Sequence, residues 1–283
     1  MSNIKKNAKE KTLLPMRMYH ITDEDVQLIS RVHHHTAVEI CCVLTGEGEM
    51  DTPSGVYTFR RGSVFVFSPG ERHCVIGCKA PTDMLILHFE PRYIWLADSG
   101  FSCTQLLDTF LNRSPLYTNL VPENISAYVF SKIVEMEEEL INLEAEYASA
   151  LKLKLVEVLI CFLRHSGFAS VSSMSESRIY NLYNLKTSMD YIDANLETDL
   201  DLDVLAERAH MSRSYFCTIF KRYNGIKPWD YITIKRIDKA LVMLARSDEK
   251  KLNIAMDCGF NNTANFYRAF KKITGTTPGD YIM

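Results

Sequence analysis

From His33 to Pro91 the chain runs in short β-favouring segments, Val38–Thr45, Gly48–Asp51, Gly55–Phe59, Ser63–Phe67, Cys74–Cys78 and Met84–Glu90. Gly46-Glu47-Gly48, Pro53-Ser54-Gly55 and Ser68-Pro69-Gly70 punctuate them as hairpin and corner turns do, so the region reads as an all-β sandwich or barrel. After Pro122 the period changes. Val129, Ile133, Met136, Leu140, Leu143 and Tyr147 recur at alternating steps of 4 and 3, one narrow apolar seam on a helix, with Glu135, Glu137, Glu138 and Glu139 mainly off it. A mean step of about 3.5 residues keeps a seam facing a partner helix, which predicts a homodimer through this helix. The rival packing is against its own barrel or against the next apolar helix, marked by Leu151, Leu155, Val158 and Phe162. Ala169–Ser177 reads as a flexible linker, and a further helical segment starts near Ile179. The expected division is therefore a β-barrel over 1–121, a helical dimerisation and connecting segment over 122–168, a linker over 169–178 and an all-α region over 179–283.

The all-α region repeats itself. An offset of 50 aligns Phe220-Lys221 with Phe270-Lys271, Gly225 with Gly275, Pro228 with Pro278 and Asp230-Tyr231-Ile232 with Asp280-Tyr281-Ile282, seven identities in thirteen positions. Self-similarity at a fixed spacing indicates a duplicated supersecondary unit. In each copy a short helix, Leu202–Ala209 or Asn253–Cys258, leads through a tight turn into a second helix starting near Ser212 or Asn261. Gly259 takes positive φ without penalty, and His210 at the matching place tolerates left-handed geometry better than most residues. Ser212 and Asn261 are the expected N-caps. This is the helix-turn-helix plan, whose second helix enters the major groove of DNA. Pro228 is placed to open a long helix between the copies, with Ile232, Ile237, Ala240, Leu241 and Leu244 on its apolar face.

Charge sharpens this picture. The formal net charge of -3 hides a split at Val204: residues 204–283 carry 14 Lys and Arg against 7 Asp and Glu, and the rest of the chain is acidic. A cationic module suits a phosphate-backbone partner. In the first copy Phe216, Ile219, Phe220 and Tyr223 should face inward, leaving Arg213, Ser214, Cys217, Thr218 and Lys221 outward. In the second, Phe266, Ala269, Phe270 and Ile273 should pack, exposing Asn262, Thr263, Ala264, Tyr267, Arg268 and Lys271. Arg pairs with guanine, Asn with adenine, hydroxyls with several bases and methyl groups with thymine, although an outward polar residue is as often merely solvated. The eight cysteines form no Cys-x-x-Cys pair and read as reduced, mostly buried thiols. No run of about 18 apolar residues and no signal peptide are visible, so a cytosolic protein without a membrane partner is expected.

Through LAERAHMSRSYFCTIFKRYNGIKPWDYI and IAMDCGFNNTANFYRAFKKITGTTPGDYI the last 80 or so residues resemble the AraC/XylS family of bacterial regulators. The resemblance implies sequence-specific promoter binding by a two-unit module, usually to activate transcription together with RNA polymerase. Carried over by position, the groove-reading places are Ser214, Cys217 and Thr218, then Thr263, Ala264, Tyr267 and Arg268. The first set lacks long donors, which shifts base reading towards Arg268.

The barrel region resembles a cupin, through His33-x-His35-x3-Glu39-x6-Gly46 and Gly70-x2-His73. The match is incomplete: Ser68 stands where the second motif usually has Pro, Gly77 where it has Asn, and no Gly lies six residues before His33. A cupin directs His33, His35, Glu39 and His73 into one cavity, a set suited to a divalent transition metal. His88 joins that lining if the strand face it shares with Met84 and Ile86 points inward. Regulators of this architecture use the barrel to bind an effector such as a sugar or another metabolite, and need no cofactor. On that reading these five residues are the effector site and none is catalytic; a metal-dependent cupin enzyme is the alternative.

Overall fold

A computed structural model describes residues 16–23, 25, 29–95, 107, 110, 111, 118–165, 176–246 and 251–281. The charged start of the chain, Cys103, most of the expected linker and Ile282 of the repeat lie outside the described residues. The chain divides into two units, residues 1–30 with 37–173 and residues 31–36 with 174–283.

The first unit is built on an antiparallel sheet of β1 (Met16–Thr22), β2 (Val38–Thr52), β3 (Gly55–Phe59), β4 (Val64–Phe67) and β5 (Cys74–Phe89), in the order β1-β5-β2-β3, with β4 also on β2. β4 pairs the start of β2, from Glu39↔Phe67 to Cys42↔Val64, and β3 pairs its end. One core gathers Cys41, Val43, Phe59, Phe65, Phe67, Val75, Met84 and Ile86. Among the described residues the strand order is an open path, and the sheet-rich unit is what the strand-and-turn pattern predicts. Three details differ. The segments expected at Val38–Thr45 and Gly48–Asp51 are one continuous strand, as are those at Cys74–Cys78 and Met84–Glu90. Gly46, read as part of a hairpin turn, has φ +96° where the β2–β5 register shifts, so its conformational freedom serves a bulge that bends the strand. β1 was not expected at all, yet it pairs with β5 from Met16↔Phe89 to Thr22↔Asp83. The Pro53-Ser54 turn closes the β2–β3 hairpin at Thr52↔Gly55.

A short helix, α1 (Arg92–Trp95), follows the sheet, and α2 (Glu123–Asn142) and α3 (Tyr147–His165) pack together. The α2 seam corrects the sequence reading. Val129, Ile133 and Met136 are fully buried within this one chain, and Leu143 ends the helix with φ +49°. Tyr147, expected on the same seam, opens α3. Val129, Ile133 and Met136 of the face assigned to a second chain are thus closed inside the first, while Leu140 is half-buried and Leu143 exposed. The acidic cluster beside it is tied to the hairpin, with Lys154 Nζ 3.1 Å from Glu135 and 3.8 Å from Glu139. Between strands and helices His20 bridges Asp83 at 2.7 Å and Glu137 at 2.5 Å. Burial alone lowers its pKa, but the two carboxylates outweigh it and hold it above the ordinary value.

The second unit contains α4 (Glu176–Ala194), α5 (Leu202–Arg208), α6 (Arg213–Asn224), α7 (Pro228–Arg246), α8 (Lys251–Asp257) and α9 (Thr263–Thr274). The repeated residues explain themselves here. Phe220 and Phe270 each meet one aromatic a turn earlier, Phe216 at 5.6 Å and Phe266 at 5.7 Å between ring centroids. Each also meets the repeat's tyrosine edge-on, Tyr231 at 5.4 Å and Tyr281 at 5.5 Å, a geometry that suits the ring quadrupoles. Gly225 and Gly275 are left-handed C-caps whose amides donate to the carbonyls of Lys221 and Lys271. Pro228 is the first residue of α7, where a missing amide hydrogen costs nothing.

Candidate nucleic-acid interface

In the first copy Asp201 caps α5 by accepting from Asp203 N at 2.7 Å, and the turn runs through Ala209 and His210, the latter at φ +52°. Ser212 then caps α6, its Oγ accepting from Tyr215 N at 3.4 Å. Phe216, Ile219, Phe220 and Tyr223 are buried and Arg213, Ser214, Thr218 and Lys221 exposed, as the helical period requires; Cys217 is half-buried. The Thr218 hydroxyl donates to the Ser214 carbonyl at 3.0 Å, which leaves its oxygen lone pairs outward. Arg213 Nη1 lies 2.8 Å from Asp203, an exposed pair of the kind that contributes little to stability and yields readily to a phosphate.

The second copy follows the same plan with one correction. The cap of α9 is Asn262, whose Oδ1 accepts from Asn265 N at 2.8 Å, and the expected cap, Asn261, lies one residue before it. Asn262, counted among the groove readers, therefore holds the start of the helix. Gly259 supplies the positive φ, +82°, and Phe266, Phe270 and Ile273 are buried. Ala264, Tyr267, Arg268 and Lys271 are exposed, while Thr263 is half-buried. Arg268 lies along its own helix: Nη2 donates to the Asn265 side chain and Nε to the Ala264 carbonyl at 3.4 Å. Both partners are exposed, so swinging the guanidinium outward breaks no buried contact. Between the copies the 19 residues of α7 span about 28 Å at 1.5 Å per residue, the scale of one turn of duplex.

In the first unit Glu39, His73 and His88 come together, all buried. His88 Nε2 is 2.6 Å from Glu39 Oε2 and His73 Nε2 is 3.5 Å from the same oxygen. Arg17 approaches the other His88 nitrogen, Nδ1, at 3.1 and 3.2 Å. Arginine only donates, so Nδ1 accepts and Nε2 carries the hydrogen given to Glu39. The Tyr19 hydroxyl stands 3.3 Å from Nε2, and the His73 ring stacks on Phe67 at 3.9 Å. His35, also expected in this set, is buried and offers a ligand atom within 4.8 Å of those of Glu39 and His88, whereas the His33 Nδ1 lies 2.9 Å from the Arg31 carbonyl at the surface. Arg17 and Tyr19 escaped sequence reasoning because β1 did; Arg17-x-Tyr19-x-Ile21 alternation was its one signal.

The chain matches the helix-turn-helix domain family over residues 205–283. It is 38% identical over 90 residues to the HTH-type transcriptional regulator YtdP of Bacillus subtilis (strain 168), 32% of this chain and only 12% of that protein's length. It is 32% identical over 106 residues to the transposon Tn10 TetD protein of Escherichia coli, 38% of this chain and 77% of that one. Unsaturated fatty acid-bound ToxT from Vibrio cholerae strain SCE256 shares the fold, with a TM-score of 0.51 at 13% identity, over 94% of this chain and 93% of that one.

Proposed function

Because the chain belongs to the AraC/XylS family of transcription regulators, we propose that it binds promoter DNA in a sequence-specific way, one recognition helix in each of two successive major grooves. The observation that carries this reading is the pair of capped helices α6 and α9, joined by α7, with Ser214, Thr218, Lys221, Arg268 and Lys271 open to solvent. Lys221 and Lys271 act on phosphates and Arg268 on a base edge. The protein acts as an activator in the cytosol, with RNA polymerase as its further partner, and responds to a small effector held in the first unit. The buried polar cluster of Glu39, His73 and His88, with Arg17 beside it, supports an effector that brings hydrogen-bonding groups of its own. Homodimerisation belongs to this reading through a surface other than the α2 seam. A divalent transition metal is the alternative occupant, because His35, Glu39 and His88 each offer a ligand atom and these atoms lie within 4.8 Å of one another. The test is enrichment of duplexes from a random-sequence library by the full chain, followed by titration in rising salt. Selection of one motif, with a steep salt slope that shallows by about one counterion when Lys221 or Lys271 is removed, is the expected result. Uniform weak binding to every duplex would overturn it. A thermal-shift panel of sugars, carboxylic acids including unsaturated fatty acids, and divalent metals then identifies the effector class, since a ligand of the native state raises its melting point.

A further inference from the structure

The two copies are joined by more than the α7 rod. Arg236, midway along it, donates from Nε to the Leu196 carbonyl at 2.9 Å and from Nη2 to the Thr198 carbonyl at 2.8 Å. Both carbonyls lie just beyond the end of α4, where a cation also meets the negative end of the helix dipole. The guanidinium stands 5.9 Å from the centroid of the Phe260 ring, in the turn of the second copy. That turn leaves no space. A Cβ on Gly259 would fall 2.2 Å from the Leu196 carbonyl oxygen and 2.9 Å from Arg236 Nε. One turn of α7 further on, Lys239 reaches the Glu197 carboxylate and, at 2.8 Å, the Asp257 carbonyl at the end of α8. Two cations therefore hold four groups: three from consecutive residues, 196–198, in the segment leading into the first helix-turn-helix, and the Asp257 carbonyl at the turn of the second.

We propose that Arg236 and Lys239 form a clamp that fixes the second helix-turn-helix against the segment entering the first, and thereby sets the spacing and phase of the two DNA segments that the chain accepts. The apolar cluster of Ile237 and Ala240 with Ile254 and Phe266 holds the second copy on α7 but is non-directional and tolerates small rotations. Hydrogen bonds to two backbone carbonyls from one planar guanidinium do not. One base pair turns the duplex by roughly 34° and moves it along by roughly 3.4 Å, so a fixed pair of helices registers each insertion as a misfit. The clamp rests on the DNA-binding reading above, and its test separates the two.

The probe is a duplex enriched from a random-sequence library by the wild-type full chain, remade with one base pair inserted or deleted between the two footprinted segments. Wild-type protein should lose about tenfold or more in affinity for each shifted duplex, while a chain carrying Arg236→Met and Lys239→Met should lose about threefold or less. Arg236→Lys, which keeps the charge but bridges only one carbonyl, should fall between them. Variants that melt cooperatively with wild-type helicity yet keep the wild-type spacing penalty would overturn the clamp. If Arg236→Met prevents folding, Lys239→Met alone, whose partners lie at the surface, carries the same comparison. Wild-type protein that selects no duplex would overturn the DNA reading and the clamp with it, whereas selection without a change in spacing penalty overturns the clamp alone.

Discussion

The two helix-turn-helix copies share their aromatic ladders and C-caps and differ at their turns. In the first, His210 holds the left-handed position and points into solvent. In the second, Gly259 holds it and is buried beneath the Leu196 carbonyl. The comparison separates two reasons for a glycine. A positive φ alone admits other residues at a cost of roughly 1–2 kcal/mol, whereas a positive φ joined to a close backbone approach admits none. It also shows that duplicated residues mark shared internal packing, while the parts of a copy that touch the rest of the unit are free to diverge.

The sharpest way to test the shared part is to remove it. Phe220→Ala and Phe270→Ala should each destabilise the chain by about 3–5 kcal/mol in urea unfolding, and by amounts within about 1 kcal/mol of each other. A large inequality would mean that the aromatic ladders are not equivalent. The turns should then part company. Gly259→Ala should cost at least about 2 kcal/mol, read as a fall in melting temperature, while His210→Ala should stay below about 1 kcal/mol. Equal losses would remove the distinction drawn above. On the outward faces the asymmetry should appear in binding: Arg268→Ala should weaken specific binding by about 1–3 kcal/mol in gel-shift titration and Ser214→Ala by less than about 1. The smallest contrast lies in the caps. Asn262→Ala should cost about 1 kcal/mol and Ser212→Ala about half of that, following hydrogen bonds of 2.8 and 3.4 Å, checked by thermal melts.

The second unit was readable from sequence because its signals are local. A glycine that ends a helix, a proline that opens one and an aromatic at a fixed offset act within a few residues, and Gly225, Gly275, Pro228 and Phe220 all sit where those rules put them. The one-residue miss at Asn261 came from two adjacent asparagines with the same capping chemistry. The first unit was harder because its decisive contacts are between distant segments. Gly46 satisfies a hairpin turn and a bulge equally well, and only the pairing of β2 with β5 chooses between them. The α2 seam kept its spacing through Leu143 and Tyr147, with no glycine or proline to announce the left-handed break. For the same reason Arg17 and Tyr19 went unseen, since they reach His88 only when β1 is laid on β5.

The seat of Gly259 beneath Leu196 makes exchange between the copies a one-way operation. Grafting the second turn into the first position places a glycine where a histidine already stands in open solvent, and nothing obstructs it. The reverse graft drives an imidazole into a carbonyl oxygen and the Arg236 guanidinium. Two modules that began as interchangeable parts have become a donor and a recipient, and chimaeras that reassort recognition helices between such regulators need to carry the turn of the second copy together with residues 196–198, or leave both where they are.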